Sequence, residues 1–121
     1  ISSPLVKYIQ GLENLIGEIK NNPSEATANK ILNHIESDDE KLEQSGHLSD
    51  ILYGYLNYQF TKNSSDTPEN NLKLATEALL QKGNIETERG QNILSTIFTL
   101  VPEQNFPIFF NEYKTKVNNS G

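Results

Sequence analysis

The sequence predicts an all-α chain: one domain, residues 1–121, of five to six helices joined as consecutive antiparallel hairpins, arranged as an irregular bundle or a short α-solenoid. Three observations carry this. Apolar residues recur at three- and four-residue steps in successive segments. Proline and glycine punctuate between those segments, and no run shows the strict alternation of a half-buried strand. One segment, residues 48–60 (LSDILYGYLNYQF), is apolar around most of its circumference. At about 100° per residue, Leu48, Ile51, Leu52, Tyr55 and Leu56 share a face and Tyr58 flanks it. Tyr53 and Phe60 fall almost opposite, and only Asp50, Gly54 and Asn57 occupy a polar sector. Neighbours normally cover such a helix on several sides, so this segment is expected at the middle of the molecule.

Each element has its own signal. Ser3 followed by Pro4 reads as an N-cap with proline at the first helical position. Leu5, Ile9, Leu12, Ile16 and Ile19 then carry an amphipathic helix to about Lys20. Gly11 and Gly17 weaken it by about 1 kcal/mol each relative to alanine, and are read as points of close approach by a neighbour. Asn21, Asn22 and Pro23 break this helix. Asn22 and Glu25 have the spacing of a capping box for a second one. Its stripe is Ala28, Ile31, Leu32, Ile35 and Leu42, with the helix expected to run to about Gln44 and to stop at Ser45 and Gly46.

The central helix is expected over about 48–62. Thr67 and Pro68 restart the chain by the same cap-then-proline logic, and Lys82 with Gly83 ends that helix. Ile85 precedes the next, expected over about 87–100 and stopped by Pro102. A last helix is expected over about 106–117, burying Phe106, Phe109, Phe110 and Tyr113, with a frayed tail from about 118. Pairs of helices begin near Pro4, Leu48 and Thr87. That spacing of about 40 residues lies within the range of helical-hairpin repeats, although no consensus repeat signature is present.

Composition narrows the function classes. The net charge is −6, and the nine lysines and single arginine, Arg89, form no basic stripe. Nucleic-acid binding and adhesion to anionic lipid both need clustered cations. No window approaches the roughly 18 apolar residues of a membrane span. The absence of cysteine removes disulfides, thiolate metal sites and thiol nucleophiles. A chain rich in Ser, Thr and Asn but lacking Cys has the composition of many exported bacterial proteins, which points to a secreted or periplasmic setting. Sequons stand at Asn63 and Asn118.

Catalytic and metal signals are sparse. His34 and Asp38 would share a helical face, and His47 is the one further histidine, so these three are the weak candidates for a metal site. No His-Glu-x-x-His pattern supports them, and the acids of residues 36–40 read as a solvated face. No Gly-x-Ser-x-Gly elbow or phosphate loop is present. The expectation is therefore a protein that is not an enzyme and carries no cofactor or metal.

Aromatic residues supply the remaining lead. Tyrosine combines a large apolar body with a polar tip and suits contact surfaces. The run of residues 106–110 cannot point inward at every position. Tyr53, Tyr58, Ile108 and Phe110 are thus the candidate partner-binding residues. The function expected is a non-catalytic protein–protein interaction module, acidic and helical. It would bind a basic or helical protein partner, for example as an immunity, inhibitor or adaptor protein. The alternative is a carrier holding an apolar small molecule in an interhelical cavity.

Overall fold

The structure is a computed structural model and describes residues 3–37 and 39–117. It is all-helical, with no strand among the described residues. Seven α-helices run in order: α1 (Pro4–Asn21), α2 (Glu25–Glu36), α3 (Lys41–Gln44), α4 (Leu48–Lys62), α5 (Pro68–Lys82), α6 (Glu88–Leu100) and α7 (Pro107–Tyr113). Single 3₁₀ turns, Glu103–Asn105 and Lys114–Lys116, flank α7. The tail expected to fray from residue 118 lies outside the described residues.

Local chemistry accounts for most boundaries. The Ser3 hydroxyl accepts from the Val6 amide at the start of α1, and Thr67 accepts from the Asn70 amide at the start of α5, each with proline following. Thr87 does the same for α6 through the Gly90 amide. Gly46 stops α3 with φ 74°, a conformation that costs a β-carbon-bearing residue strain.

Four expectations are corrected. First, α2 is capped by Ser24, not Asn22. Ser24 is extended (φ −143°, ψ 161°) and forms a reciprocal capping box with Thr27, which leaves Pro23 outside the helix. Second, α2 does not reach Gln44. It stops at Glu36, and a separate short helix follows, which raises the count to seven. Ser37 turns extended (ψ 142°), and the Asp39 carboxylate accepts the Lys41 amide, so short polar side chains compete with the helical ladder.

Third, the last helix is shorter than expected. It begins at Pro107 and ends at Tyr113, because Phe106 supplies no side-chain cap and the chain tightens to 3₁₀ beyond Tyr113. Fourth, the glycines of α1 mark no close approach. A β-carbon on Gly11 or Gly17 would meet nothing within 4 Å. The close approaches are elsewhere: a β-carbon on Gly54 would sit 2.7 Å from Ile19 Cγ2, and one on Gly83 2.7 Å from Ile93 Cδ1. Gly83 is the C-cap of α5, but its φ of −113° shows that handedness does not require glycine there.

Helix α4 is the hub: α1, α2, α5 and α6 all pack against it. Ile51 and Leu52 are fully buried, and Tyr55, Leu56 and Tyr58 nearly so. Burying each such side chain stabilises the fold by about 1.5–3 kcal/mol. Apart from Ser49 and Lys62 at its two ends, the exposed residues of α4 are Asp50, Tyr53, Asn57 and Thr61, which form an outward stripe. The same core takes Leu12, Leu15 and Ile19 from α1, Ile31 and Ile35 from α2, Leu72 and Leu79 from α5, and Ile93, Leu94 and Ile97 from α6. Phe98, Phe109, Phe110 and Tyr113 form an aromatic cluster where α6 meets α7, with Phe109 stacked on Tyr113 at 4.6 Å.

Candidate functional site

The four candidate contact residues separate into two kinds. Tyr53 and Ile108 are the most exposed large apolar side chains among the described residues, at 61% and 68%. Tyr58 is buried: its ring lies 5.8 Å from that of Tyr55, and the Lys62 ammonium sits 5.7 Å above it. Phe110 is half-buried, 4.8 Å from Phe98. About 140° of the helical wheel separates these two tyrosines on α4. Tyr53 lies on the outward stripe with Asp50 and Asn57, whereas Tyr58 turns toward the core.

Ile108 owes its position to an acid on another helix. Helix α7 has no cap of its own, so the Glu69 carboxylate of α5 accepts the amides of Ile108 (3.2 Å) and Phe109 (2.9 Å). That contact holds the first turn of α7 against α5 and drives Phe109 inward, leaving Ile108 outside. Shallow grooves lie on both sides of Ile108, and neither includes a residue of α4. Tyr53 and Ile108 therefore belong to separate patches.

A larger open cleft of about 480 Å³ lies between the α2–α3 junction and the α5–α6 junction. Its floor is Ile35 and Gly83, and Glu36, Glu40, Glu43 and Glu88 rim it. Two cations stand in it, both engaged. Lys82 pairs with Glu36 at 3.3 Å. Arg89 holds the Glu43 carboxylate bidentately, through Nε (2.8 Å) and Nη2 (2.6 Å). It also donates from Nη1 to the carbonyls of Ile35 and Ser37, and from Nη2 to that of Asp39.

These bonds use all five guanidinium donors. They satisfy carbonyls that the broken helix releases, so Arg89 is a keystone of the fold. The hydrogen bonds from Arg89 hold the Glu43 carboxyl below its ordinary value. The Lys41 backbone amide does the same to Asp39. Sequence reasoning missed this node. Its one available signal was the chain's single arginine standing in the first turn of a helix, where the macrodipole disfavours a cation.

The two histidines do not converge. His34 Nδ1 lies 3.0 Å from the Tyr8 hydroxyl, the rings meet edge to face at 5.3 Å, and burial lowers the imidazole pKa. This pair lines an open groove between α1 and α2. His47 instead meets Asp50 and Glu13. Asp38, the other candidate ligand, lies outside the described residues. Among the described residues no group of three or more His, Asp or Glu side chains is arranged to hold a metal ion. Of the two sequons, Asn63 caps the end of α4 and Asn118 lies outside the described residues.

Among the described residues no helix is long and apolar enough to cross a membrane. Comparison with protein-family models, curated proteins and solved structures finds no match to this chain.

Proposed function

We propose that this chain is a non-catalytic protein-interaction module whose partner is a basic or helical protein, in the manner of an immunity, inhibitor or adaptor protein. The observation that carries the reading is Tyr53. An aromatic ring 61% exposed stands within the outward stripe of a helix whose middle is covered elsewhere. Exposed tyrosines of this kind act as anchors at interfaces because a rigid, large side chain costs little entropy to fix. The net charge of −6 favours a partner of opposite sign and disfavours nucleic acid.

Within this reading the helices pair as stacked hairpins: α1 with α2, α4 with α5, and α6 with the short α7. Two rows of contacts support it. Helix α1 packs on α4 and α4 on α6, while α2 packs on α5 and α5 on α7. The first members of the pairs then form one layer, with the Tyr53 stripe at its centre. Stacked pairs of this kind present extended surfaces suited to binding another chain.

The test is affinity capture from the source organism at about 50 mM and about 300 mM salt, with wild type beside Tyr53→Ala and Ile108→Ser. The expected result is a specific protein retained better at low salt and lost from at least the Tyr53→Ala variant, with its melting temperature unchanged. No capture at either salt, or equal capture by all three proteins, contradicts the proposal.

A further inference from the structure

We infer that His47 is a pH-operated tie between α1 and α4, closed when its imidazole is protonated. The ring stands at the junction of three chain segments. Its backbone amide donates to Ser45 Oγ (3.1 Å), and that hydroxyl donates to the Leu42 carbonyl (2.6 Å), so α3 fixes where the side chain starts. Nδ1 lies 3.0 Å from Asp50 Oδ2, one turn into α4. Nε2 lies 3.2 Å from Glu13 Oε2 on α1, 34 residues away in sequence.

A neutral imidazole has one N–H and can donate to only one of these carboxylates. The protonated ring donates to both, so the two bonds coexist only in the charged form; in either neutral tautomer one carboxylate faces a ring lone pair, and the junction of α1, His47 and α4 is held by a single bond. Asp50 from its own helix and Glu13 from α1 are the charged groups that face the ring among the described residues.

The position makes the charge state sensitive. His47 is the N-cap of α4, where the helix dipole opposes a cation, so the two carboxylates must outweigh that field. They do so: the hydrogen bond to Asp50, then that to Glu13, hold the imidazole above its ordinary value. The ring retains 24% exposure, so protons reach it freely. The tie spans the α1–α4 seam, in which a β-carbon on Gly54 would sit 2.7 Å from Ile19 Cγ2. Its opening unlocks that seam at the α4 N-terminus.

Asp50 also stands one turn before Tyr53. Titration of His47 therefore changes the charge beside that ring by one unit. The device itself does not depend on what Tyr53 binds.

The experiment is an NMR titration of the two histidine rings in the intact chain from about pH 5 to about pH 9, with amide exchange of α1 measured alongside. The expected His47 midpoint lies above the ordinary histidine value of about 6.5 and falls in both Glu13→Gln and Asp50→Asn. After correction for intrinsic rates, α1 amides near Glu13 exchange about two- to fivefold more slowly below the midpoint than above it. Glu13→Gln and His47→Gln abolish that difference. Both substitutions are at the surface, and a single fold is verified by the remaining amide shifts. A His47 midpoint at or below the ordinary value overturns the inference. So does a midpoint indifferent to Glu13→Gln, or a seam whose exchange shows no dependence on the charge of His47.

Discussion

At the scale of single residues, glycine and histidine show how little the identity of a side chain says without its surroundings. Gly11, Gly17, Gly54 and Gly90 all sit within helices, and sequence gives them equal weight. Space around them does not. Gly11→Ala and Gly17→Ala are expected to raise stability by about 0.5–1 kcal/mol each, because the β-carbon meets nothing and the unfolded chain loses freedom. Gly90→Ala would place its β-carbon 1.9 Å from the Asn84 carbonyl oxygen, a backbone atom that cannot swing aside. It is expected to cost about 3 kcal/mol or more. Urea unfolding of the three variants measures both signs.

The histidines oppose each other. The pKa of His47 is raised, so its contribution to stability is full below the unfolded value of about 6.5 and is lost as pH rises through the folded value. That of His34 is lowered, so its contribution is present above the unfolded value and is lost as pH falls through the folded one. Around the ordinary histidine value the two slopes have opposite sign in the wild type. His47→Gln should leave a melting temperature that rises with pH over this window, and His34→Gln one that falls. A scan in which both variants drift in the same direction would refute the assignment.

At the scale of elements, the caps at Ser3 and Thr67 were legible because each lies within four positions of its partner, and residues 48–62 stood out because periodicity is itself local. Ser24 is equally local, but the Asn22–Glu25 spacing competed with it for the start of α2. The split between α2 and α3 was not legible, because beside the local turns at Ser37 and Asp39 it draws on Arg89, some 50 residues on. Carbonyls released at Ile35, Ser37 and Asp39 find their donors only after α6 docks. Arg89→Lys retains the charge and loses the fork. It is expected to cost about 2–4 kcal/mol, with amide protection lost first across α3.

The Glu43 carboxylate supplies an independent sign. Its pKa is lowered by Arg89, so that part of the stability is present above the unfolded value and disappears as pH falls through the folded one. Acid unfolding should therefore separate wild type from Arg89→Lys less at low pH than at neutrality. Helix α7 depends on a distant residue in the same way. Glu69→Ala removes the acceptor of the Ile108 and Phe109 amides and is expected to cost about 1–2 kcal/mol, with near-ultraviolet signals of the Phe98–Tyr113 cluster loosening before the global transition.

At the scale of the whole molecule, the rod at residues 48–62 is wrapped on four sides and exposes one stripe. Hydropathy located that rod, and its wheel set Tyr58 on the flank of the apolar face with Tyr53 almost opposite. How far round the rod the covering reaches was not legible, because the placement of α1, α2, α5 and α6 decides it. For the same reason Ile108 and Phe110 were indistinguishable until Glu69 set the rotation of α7. The proposed contact surface thus contracts to Tyr53 and its stripe, with Ile108 as a separate patch. Tyr53→Ala should change stability by no more than about 0.5 kcal/mol, since the ring is mostly solvated.

Photo-crosslinking tests the central claim most directly. Benzoylphenylalanine is placed at Tyr53 and, as a control, at Glu77, an exposed position on α5. The chain is irradiated within its source cell. The expected result is one discrete heterologous polypeptide joined through position 53 and absent from position 77. Adducts of equal yield at both positions, or none at position 53 in a chain that melts like wild type, would contradict the claim that recognition is the work of this outward stripe.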